Sequence, residues 1–75
     1  MTKTPPVSHY PMIIEWSEED QVFVVTVPDL PGCLAHGDTP QAAAREAQVA
    51  MGLWLEVAKE LGHSIPVPSR HLISA

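Results

Sequence analysis

Residues 22–27, which read VFVVTV, constrain the fold of this chain more than any other segment does. Every residue in the run is β-branched or aromatic, and such residues favour strands. Apolar side chains occupy both alternating faces of the segment except at Thr26. The segment is therefore predicted to be the central strand of a sheet.

Another strand is predicted just before it, over residues 10–16. One face of that strand carries alternating large side chains, namely Tyr10, Met12, Ile14 and Trp16. The polar residues 17–20 form a short turn, and two strands joined in this way make a hairpin. The first two strands are thus expected to be antiparallel.

The segment after the central strand breaks the ladder and leads into a short third strand. Pro31 and Gly32 suit the two middle positions of a type II turn, because proline fixes φ and glycine tolerates a positive φ. Residues 33–36 can then form a strand before Gly37. A short fourth strand is predicted over residues 71–74, after an extended segment rich in proline.

One long helix is predicted between the third and fourth strands. Either Asp38 or Thr39 can cap its first amide groups, and Pro40 fits the first helical position. Gly62 is a natural C-terminal stop, so the helix should run to about Leu61. Strands followed by a single long helix indicate an antiparallel sheet with the helix packed on one face.

The apolar residues of this helix are expected to form a stripe centred on Trp54, which is predicted to be a core residue. The stripe comprises Ala43, Ala47, Ala50, Met51, Val57, Ala58 and Leu61. Leu53 and Leu55 flank it on the two sides and Val49 lies further round, so the apolar arc is wider than one sheet face usually covers. We therefore hypothesise that one flank of the helix is buried by another subunit or a partner.

The expected fold class is α+β with the order βββαβ: a three-stranded antiparallel sheet, one long helix and a short fourth strand. Residues 1–8 are expected to form a flexible arm, and residues 9–75 a single domain. A chain of 75 residues is long enough for one domain of marginal stability. Its single cysteine, Cys33, excludes an intrachain disulfide, so association into a dimer or tetramer is the expected support.

The charge balance argues against nucleic acid and in favour of a basic protein partner. Nine carboxylates face four lysine and arginine residues, which gives a net charge of −5 at pH 7. The four cations are scattered along the chain at Lys3, Arg45, Lys59 and Arg70. Nucleic-acid binding needs clustered positive charge, whereas opposite charge steers an acidic chain towards a basic protein.

No apolar run approaches the roughly 20 residues of a membrane span, and a lone cysteine fits a reducing cytoplasm.

Several short motifs in combination resemble the HicB antitoxin family. They are Tyr10 at the start of the first strand, PDLPGC at 28–33, GDT at 37–39, the alanine-rich helix that reaches Trp54 and Leu55, and IPVPS at 65–69. The resemblance covers roughly residues 10–69. It implies a truncated ribonuclease H-like fold with a three-stranded antiparallel sheet, one helix and a fourth strand.

The resemblance also implies a function. Proteins of this family typically neutralise HicA toxins, which are small basic ribonucleases that cut messenger RNA, and many carry a C-terminal DNA-binding domain. Only six residues follow Ser69, so neither such a domain nor direct DNA binding is expected. The chain is therefore expected to be a non-enzymatic cytoplasmic antitoxin that masks a HicA-type toxin. The alternative is a solitary oligomeric HicB-like regulator or scaffold that has no toxin.

Residues that suggest catalysis or metal binding have simpler structural explanations. A degenerate ribonuclease H-like nuclease would need several carboxylates that converge on two metal ions. The candidates are Glu15, Asp29, Asp38 and Glu46. Cys33 and His36 form a C-x-x-H pair, but a structural zinc site needs four ligands. Neither a metal nor another cofactor is expected.

The expected partner-binding residues lie in the hairpin and in the turn after the central strand. Trp16 is a candidate interface anchor at the end of the first strand. The acidic turn beside it is either a solvated hairpin tip or a docking patch for a basic toxin. The candidate set is Trp16, Glu18, Glu19, Asp20, Asp29 and Leu30.

Overall fold

The computed structural model describes residues 5–69, which form a small sheet covered by a long helix. The elements in chain order are a 3-10 turn at Val7–His9, strand β1 at Ile13–Ser17, strand β2 at Val22–Thr26, strand β3 at Leu34–Gly37 and helix α1 at Pro40–Glu60. The fourth strand predicted over 71–74 and the first four residues of the predicted arm lie outside the described residues. Within the described range, the predicted α+β class is confirmed.

The sheet has the strand order β1-β2-β3, and both neighbouring pairs are antiparallel. The prediction that VFVVTV forms the central strand is confirmed. Ile14, Val25 and Ala35 lie opposite one another across the three strands. Val25 and Ala35 belong to the core that the sheet forms with α1, and the helix packs mainly on β3. One face of the sheet and the helix therefore enclose the hydrophobic core.

Strand β1 begins later than the sequence analysis placed it, at Ile13 instead of Tyr10. Pro11 has no amide hydrogen to donate to a ladder. The Tyr10 side chain instead turns into the core, where it is buried, whereas Trp16 on the same predicted face remains exposed. Val7 of the preceding turn also packs against the core. The segment before β1 therefore contributes to the core and is not a loose arm at that point.

The turn between β2 and β3 has the geometry predicted from Pro31 and Gly32. Gly32 has a positive φ of 82°, and the amide of Cys33 donates a hydrogen bond to the carbonyl oxygen of Leu30 at 3.0 Å. These are the features of a type II turn. Leu30 and Cys33 are both buried, so the turn sends two core side chains inward while it reverses the chain. Strand β3 itself starts at Leu34, one residue later than predicted.

Helix α1 begins and ends close to its predicted limits. Thr39, and not Asp38, is the N-terminal cap, because its Oγ1 accepts a hydrogen bond from the amide of Ala42 at 3.0 Å. At the other end, Gly62 has a φ of 75° and its amide donates to the carbonyl oxygen of Lys59 at 3.1 Å. A glycine in the left-handed conformation is a common helix stop. Within residues 5–69, no helix is both long and apolar enough to cross a bilayer.

The buried face of α1 is rotated away from the stripe predicted around Trp54. The buried residues are Ala43, Ala47, Met51, Leu55 and Ala58. Val57 and Leu61, which were predicted to lie in the stripe, are 51% and 64% exposed, whereas Leu55 is buried. The alanine side chains at the contact let the helix approach the sheet closely. The face of α1 that packs on the sheet therefore contains the alanines and not Trp54, the largest residue. Trp54 lies partly buried at the margin, where its Nε1–H donates to the carbonyl oxygen of Pro31 at 2.9 Å.

Candidate partner-binding surface

The turn between β1 and β2 is held by local hydrogen bonds. Gln21 adopts a left-handed conformation with a φ of 55°, and its amide donates to the carbonyl oxygen of Ser17 at 2.8 Å. The Oγ of Ser17 accepts a hydrogen bond from the amide of Asp20 at 3.3 Å. The Nε2 of Gln21 donates to the carbonyl oxygen of Glu18 at 2.8 Å. These bonds fix the tip of the hairpin, so its acidic side chains project from an ordered base.

Trp16 lies beside this tip at the end of β1 and is 46% exposed. Its indole Nε1–H donates to Oε1 of Glu18 at 3.0 Å. Its ring meets the ring of Phe23 edge-on, with the centroids 5.0 Å apart and an interplanar angle of 65°. The indole is therefore held in one orientation while much of its surface stays accessible. A rigid aromatic side chain loses little conformational entropy when a partner covers it.

The hairpin tip is strongly acidic. Glu18, Glu19 and Asp20 are all exposed. All nine carboxylates of the chain lie within residues 5–69, whereas Arg45 and Lys59 are the only lysine or arginine residues in that range. The tip therefore places negative potential next to Trp16. Such a field raises the encounter rate with a basic surface, and salt weakens the effect.

Two of the predicted partner-binding residues lie at the other end of β2 and have structural roles. The Oδ2 of Asp29 accepts a hydrogen bond from the amide of Ser69 at 2.7 Å, and its Oδ1 accepts one from the Ser69 hydroxyl. Leu30 is fully buried, so its assignment to a partner surface was wrong. The turn that follows directs the Leu30 side chain inward, which its placement among the partner-binding residues did not anticipate. The predicted residues that share one accessible surface are Trp16, Glu18, Glu19 and Asp20.

The residues considered for metal binding do not converge. Cys33 points into the core and His36 is exposed, because side chains separated by an odd number of positions point to opposite faces of a strand. Burial raises the pKa of the Cys33 thiol, which opposes formation of a thiolate ligand. Among the described residues, no group of three or more histidine, cysteine or carboxylate side chains could hold a metal ion. The carboxylates considered for a nuclease site, which the fold does not bring together, are Glu15, Asp29, Asp38 and Glu46.

A second accessible surface lies where β3 meets the outward flank of α1. It contains a groove of about 810 Å³ and an adjoining groove of about 490 Å³. Leu34 and Leu53 line both grooves and are 60% and 63% exposed. The sequence indicated an uncovered apolar flank at Val49 and Leu53. It gave no signal for Leu34, because alternation along a short strand does not reveal which edge of the sheet is open.

Comparison with known proteins identifies the family. The family model of the HicB-like antitoxin of bacterial toxin–antitoxin systems matches residues 10–73. The chain belongs to the HicB-like antitoxin family. The matched range includes all three strands and α1, so the resemblance that the sequence motifs indicated is confirmed, and with it the antitoxin class.

Two relatives and one solved structure are similar to this HicB-like chain. It is 36% identical to a UPF0150 protein of Synechocystis sp. over 58 residues, which are 77% of this chain and 78% of the relative. It is 37% identical to a UPF0150 protein of Thermoplasma acidophilum over 54 residues, which are 72% of this chain and 78% of the relative. Its fold matches a chain of the HicA3 and HicB3 toxin–antitoxin complex with a TM-score of 0.68 and 26% identity. That match covers 83% of this chain and 70% of the other.

Proposed function

We propose that this HicB-like protein neutralises a small basic toxin of the HicA type by binding it and masking its RNA-binding or catalytic surface. Membership of the HicB-like antitoxin family supports the proposal, as does the likeness to a chain of the HicA3 and HicB3 complex. The protein acts by contact and not by catalysis. In keeping with that role, Asp29, one of the carboxylates considered for a nuclease, is engaged by Ser69.

The exposed indole of Trp16 beside the acidic hairpin tip is the observation that carries the proposal. Buried aromatic anchors supply most of the binding free energy in many interfaces, whereas surrounding charges contribute more to the rate of encounter. Trp16 provides the anchor, and the tip residues Glu18, Glu19 and Asp20 provide the charge. A basic toxin is thus drawn towards the tip and held by contact with the indole.

We also infer that the protein works in the cytoplasm as a homo-oligomer and makes no direct contact with DNA. The free and buried Cys33 fits a reducing compartment. The uncovered apolar flank of α1 supports self-association. Arg45 and Lys59, the lysine and arginine residues within 5–69, are too few to neutralise a row of phosphates.

Co-purification is the first test of the proposed function. The chain is tagged at its N-terminus and expressed in its own cells, and the co-eluting proteins are identified by mass spectrometry. The expected result is a small basic protein in stoichiometric amount. Recovery of the tagged protein alone, as a defined oligomer, would contradict toxin masking and support the alternative of a solitary HicB-like regulator.

Substitutions then test whether the hairpin tip is the contact. Trp16→Ala is expected to raise the dissociation constant of the purified complex by roughly 30-fold or more, as for an interface hot spot. Glu19→Lys is expected to act mainly by lowering the association rate. Glu56→Lys is the matched control, because Glu56 is also exposed but lies on the polar side of α1. Equal losses for the two charge reversals would show that overall charge, and not the tip, determines binding.

A further inference from the structure

A large apolar surface remains uncovered on this small domain. We call it the β3–α1 face, and it consists of Leu34, Val49, Leu53, Val57 and Leu61, each more than half exposed. These side chains line the two adjoining grooves, which share Leu34 and Leu53. Their combined exposed area is on the order of 500 Å², at the upper end for a monomer. It is more than half of the roughly 800 Å² that each partner buries in a standard interface.

The outer edge of β3, which borders this face, has backbone groups available for pairing. The amide of Val27 donates to the carbonyl oxygen of Cys33 at 3.3 Å. In an antiparallel ladder, hydrogen-bonded pairs recur at every second residue, so Ala35 bonds to β2. Leu34 and His36 therefore direct their amide and carbonyl groups away from β2. Within residues 5–69, no strand lies on that side of β3.

The charge distribution indicates which partner suits the face. Its centre is apolar, and the carboxylates that line its larger groove are Asp20 and Glu46. A basic toxin gains little Coulomb energy from leucine and valine side chains and is better matched by the acidic hairpin tip. Two copies of a chain with a net charge of −5 repel each other. The repulsion is weakest where the apolar surface of one copy contacts the same apolar surface of the other. The face therefore suits a second copy of this chain better than it suits a basic protein.

We propose that two copies of this chain dock through the β3–α1 face around a two-fold axis beside Ala35, with β3 of one copy antiparallel to β3 of the other. Leu34 of each copy then pairs with His36 of the second copy, and each of these residues donates and accepts a backbone hydrogen bond. The two α1 helices lie on the same side of the joined sheet, where Val49 and Leu53 contact their counterparts. This inference rests on the proposed self-association, and Asp20, which lines the larger groove, is the one residue that it shares with the proposed toxin contact.

Sedimentation velocity of the full chain over a range of concentrations tests this interface. Leu53→Glu places a charge in the apolar contact and is expected to weaken the dimer at least roughly tenfold. His36→Pro removes only an outward-facing amide, which an edge strand tolerates, and is expected to weaken the dimer as well. Val67→Glu is the matched control, because Val67 is exposed but lies outside the face. Circular dichroism confirms that each variant is folded.

The outcomes separate this interface from the other proposals. The proposed interface is supported if Leu53→Glu and His36→Pro weaken the dimer and Val67→Glu does not. It is also supported if the protein forms a larger assembly that Leu53→Glu reduces to half its mass. A wild-type protein that is still monomeric at roughly 100 µM, well above a micromolar dissociation constant, would overturn the proposed interface. An assembly that Leu53→Glu leaves unchanged would overturn it too. Weakening by Leu53→Glu but not by His36→Pro would overturn the strand pairing. Trp16→Ala is expected to leave the dimer intact, so loss of toxin binding and loss of the dimer are measured separately.

Discussion

The hydroxyl group of Tyr10 donates a hydrogen bond to the carbonyl oxygen of Pro66 at 2.6 Å, across 56 residues of sequence. The Tyr10 ring lies in the core, and Ile65, next to Pro66, packs against the same core. The segment that follows α1 is therefore tied to the segment that precedes β1. Because the described residues after Gly62 have no regular secondary structure, this contact helps to hold that segment against the body of the domain.

Tyr10→Phe is expected to lower the free energy of unfolding at pH 7 by about 1 kcal/mol, the usual net contribution of one hydrogen bond. The phenylalanine ring still fills the core position, so the loss reflects the hydroxyl group alone. Urea unfolding followed by circular dichroism measures the difference. An unchanged midpoint would show that water replaces the Pro66 contact without cost.

The stability of the protein is expected to fall at alkaline pH because of the same hydroxyl group. Burial, and secondly the negative charge of Asp29, raise the pKa of Tyr10 above its ordinary value of 10.0. Well below pH 10, both the folded and the unfolded chain keep the proton. As the pH rises further, the unfolded chain releases the proton first, so the folded state loses stability until the pH passes its own raised pKa.

A comparison with Tyr10→Phe isolates this effect. Between pH 9 and pH 11, the stability of the wild-type protein is expected to fall more steeply than that of the variant, so the difference between them shrinks. The buried Cys33 thiol also has a raised pKa, but it is present in both proteins and cancels. Parallel stability curves in a urea series across this pH range would contradict the assignment to Tyr10.

The parts of the fold that local chemistry determines were predicted from the sequence. The β-branched run of β2 identified the central strand, and Pro31-Gly32 identified the type II turn, because each depends on residues adjacent in the chain. For the same reason the sequence located the stop at Gly62 and narrowed the cap to Asp38 or Thr39, of which the structure has Thr39. These residues have conformational preferences that hold in almost any context.

The parts that depend on contacts between distant segments were not predicted. The rotation of α1 follows from how closely its alanines approach β3, and a helical wheel contains no information on that distance. The burial of Leu30 depends on the direction in which its turn faces the helix. Trp16 and its acidic neighbours are exposed together because they are adjacent along one hairpin, and their role in partner binding stays a prediction. That β3, which contains Leu34, forms an open edge of the sheet could be recognised only from the order of the strands.

Asp29→Ala is expected to release the end of the described chain from the body of the domain. Both carboxylate oxygens of Asp29 accept hydrogen bonds from Ser69, so the amide of Ser69 should exchange with solvent much faster in the variant. Hydrogen exchange measured by NMR follows this amide directly. Asp38→Ala is the control, since Asp38 is exposed at the start of α1, and a Ser69 amide that stays protected in Asp29→Ala would contradict the role of the carboxylate.

Gly37→Ala is expected to be the most damaging conservative change at a glycine. A Cβ atom at Gly37 would lie 2.5 Å from the amide nitrogen of Ala43 and 2.8 Å from the carbonyl carbon of Ala42. Both are backbone atoms of α1, so the first turn of the helix would have to move away from the end of β3. Overpacking of this kind costs about 1–3 kcal/mol, which corresponds to a fall in the melting temperature of roughly 4–8 °C per kcal/mol for a domain of this size.

Gly52→Ala makes the same chemical change where the structure has room for it. Apart from the adjacent backbone of the helix itself, no atom lies within 4 Å of a Cβ built at Gly52, and the residue is in the middle of α1. Alanine has a higher helix propensity than glycine by about 1 kcal/mol, so the melting temperature should rise. Opposite shifts of the two melting temperatures would show that β3 and α1 meet at Gly37 without space for a methyl group. Equal, small shifts would mean that the close approach at the start of the helix does not exist in solution.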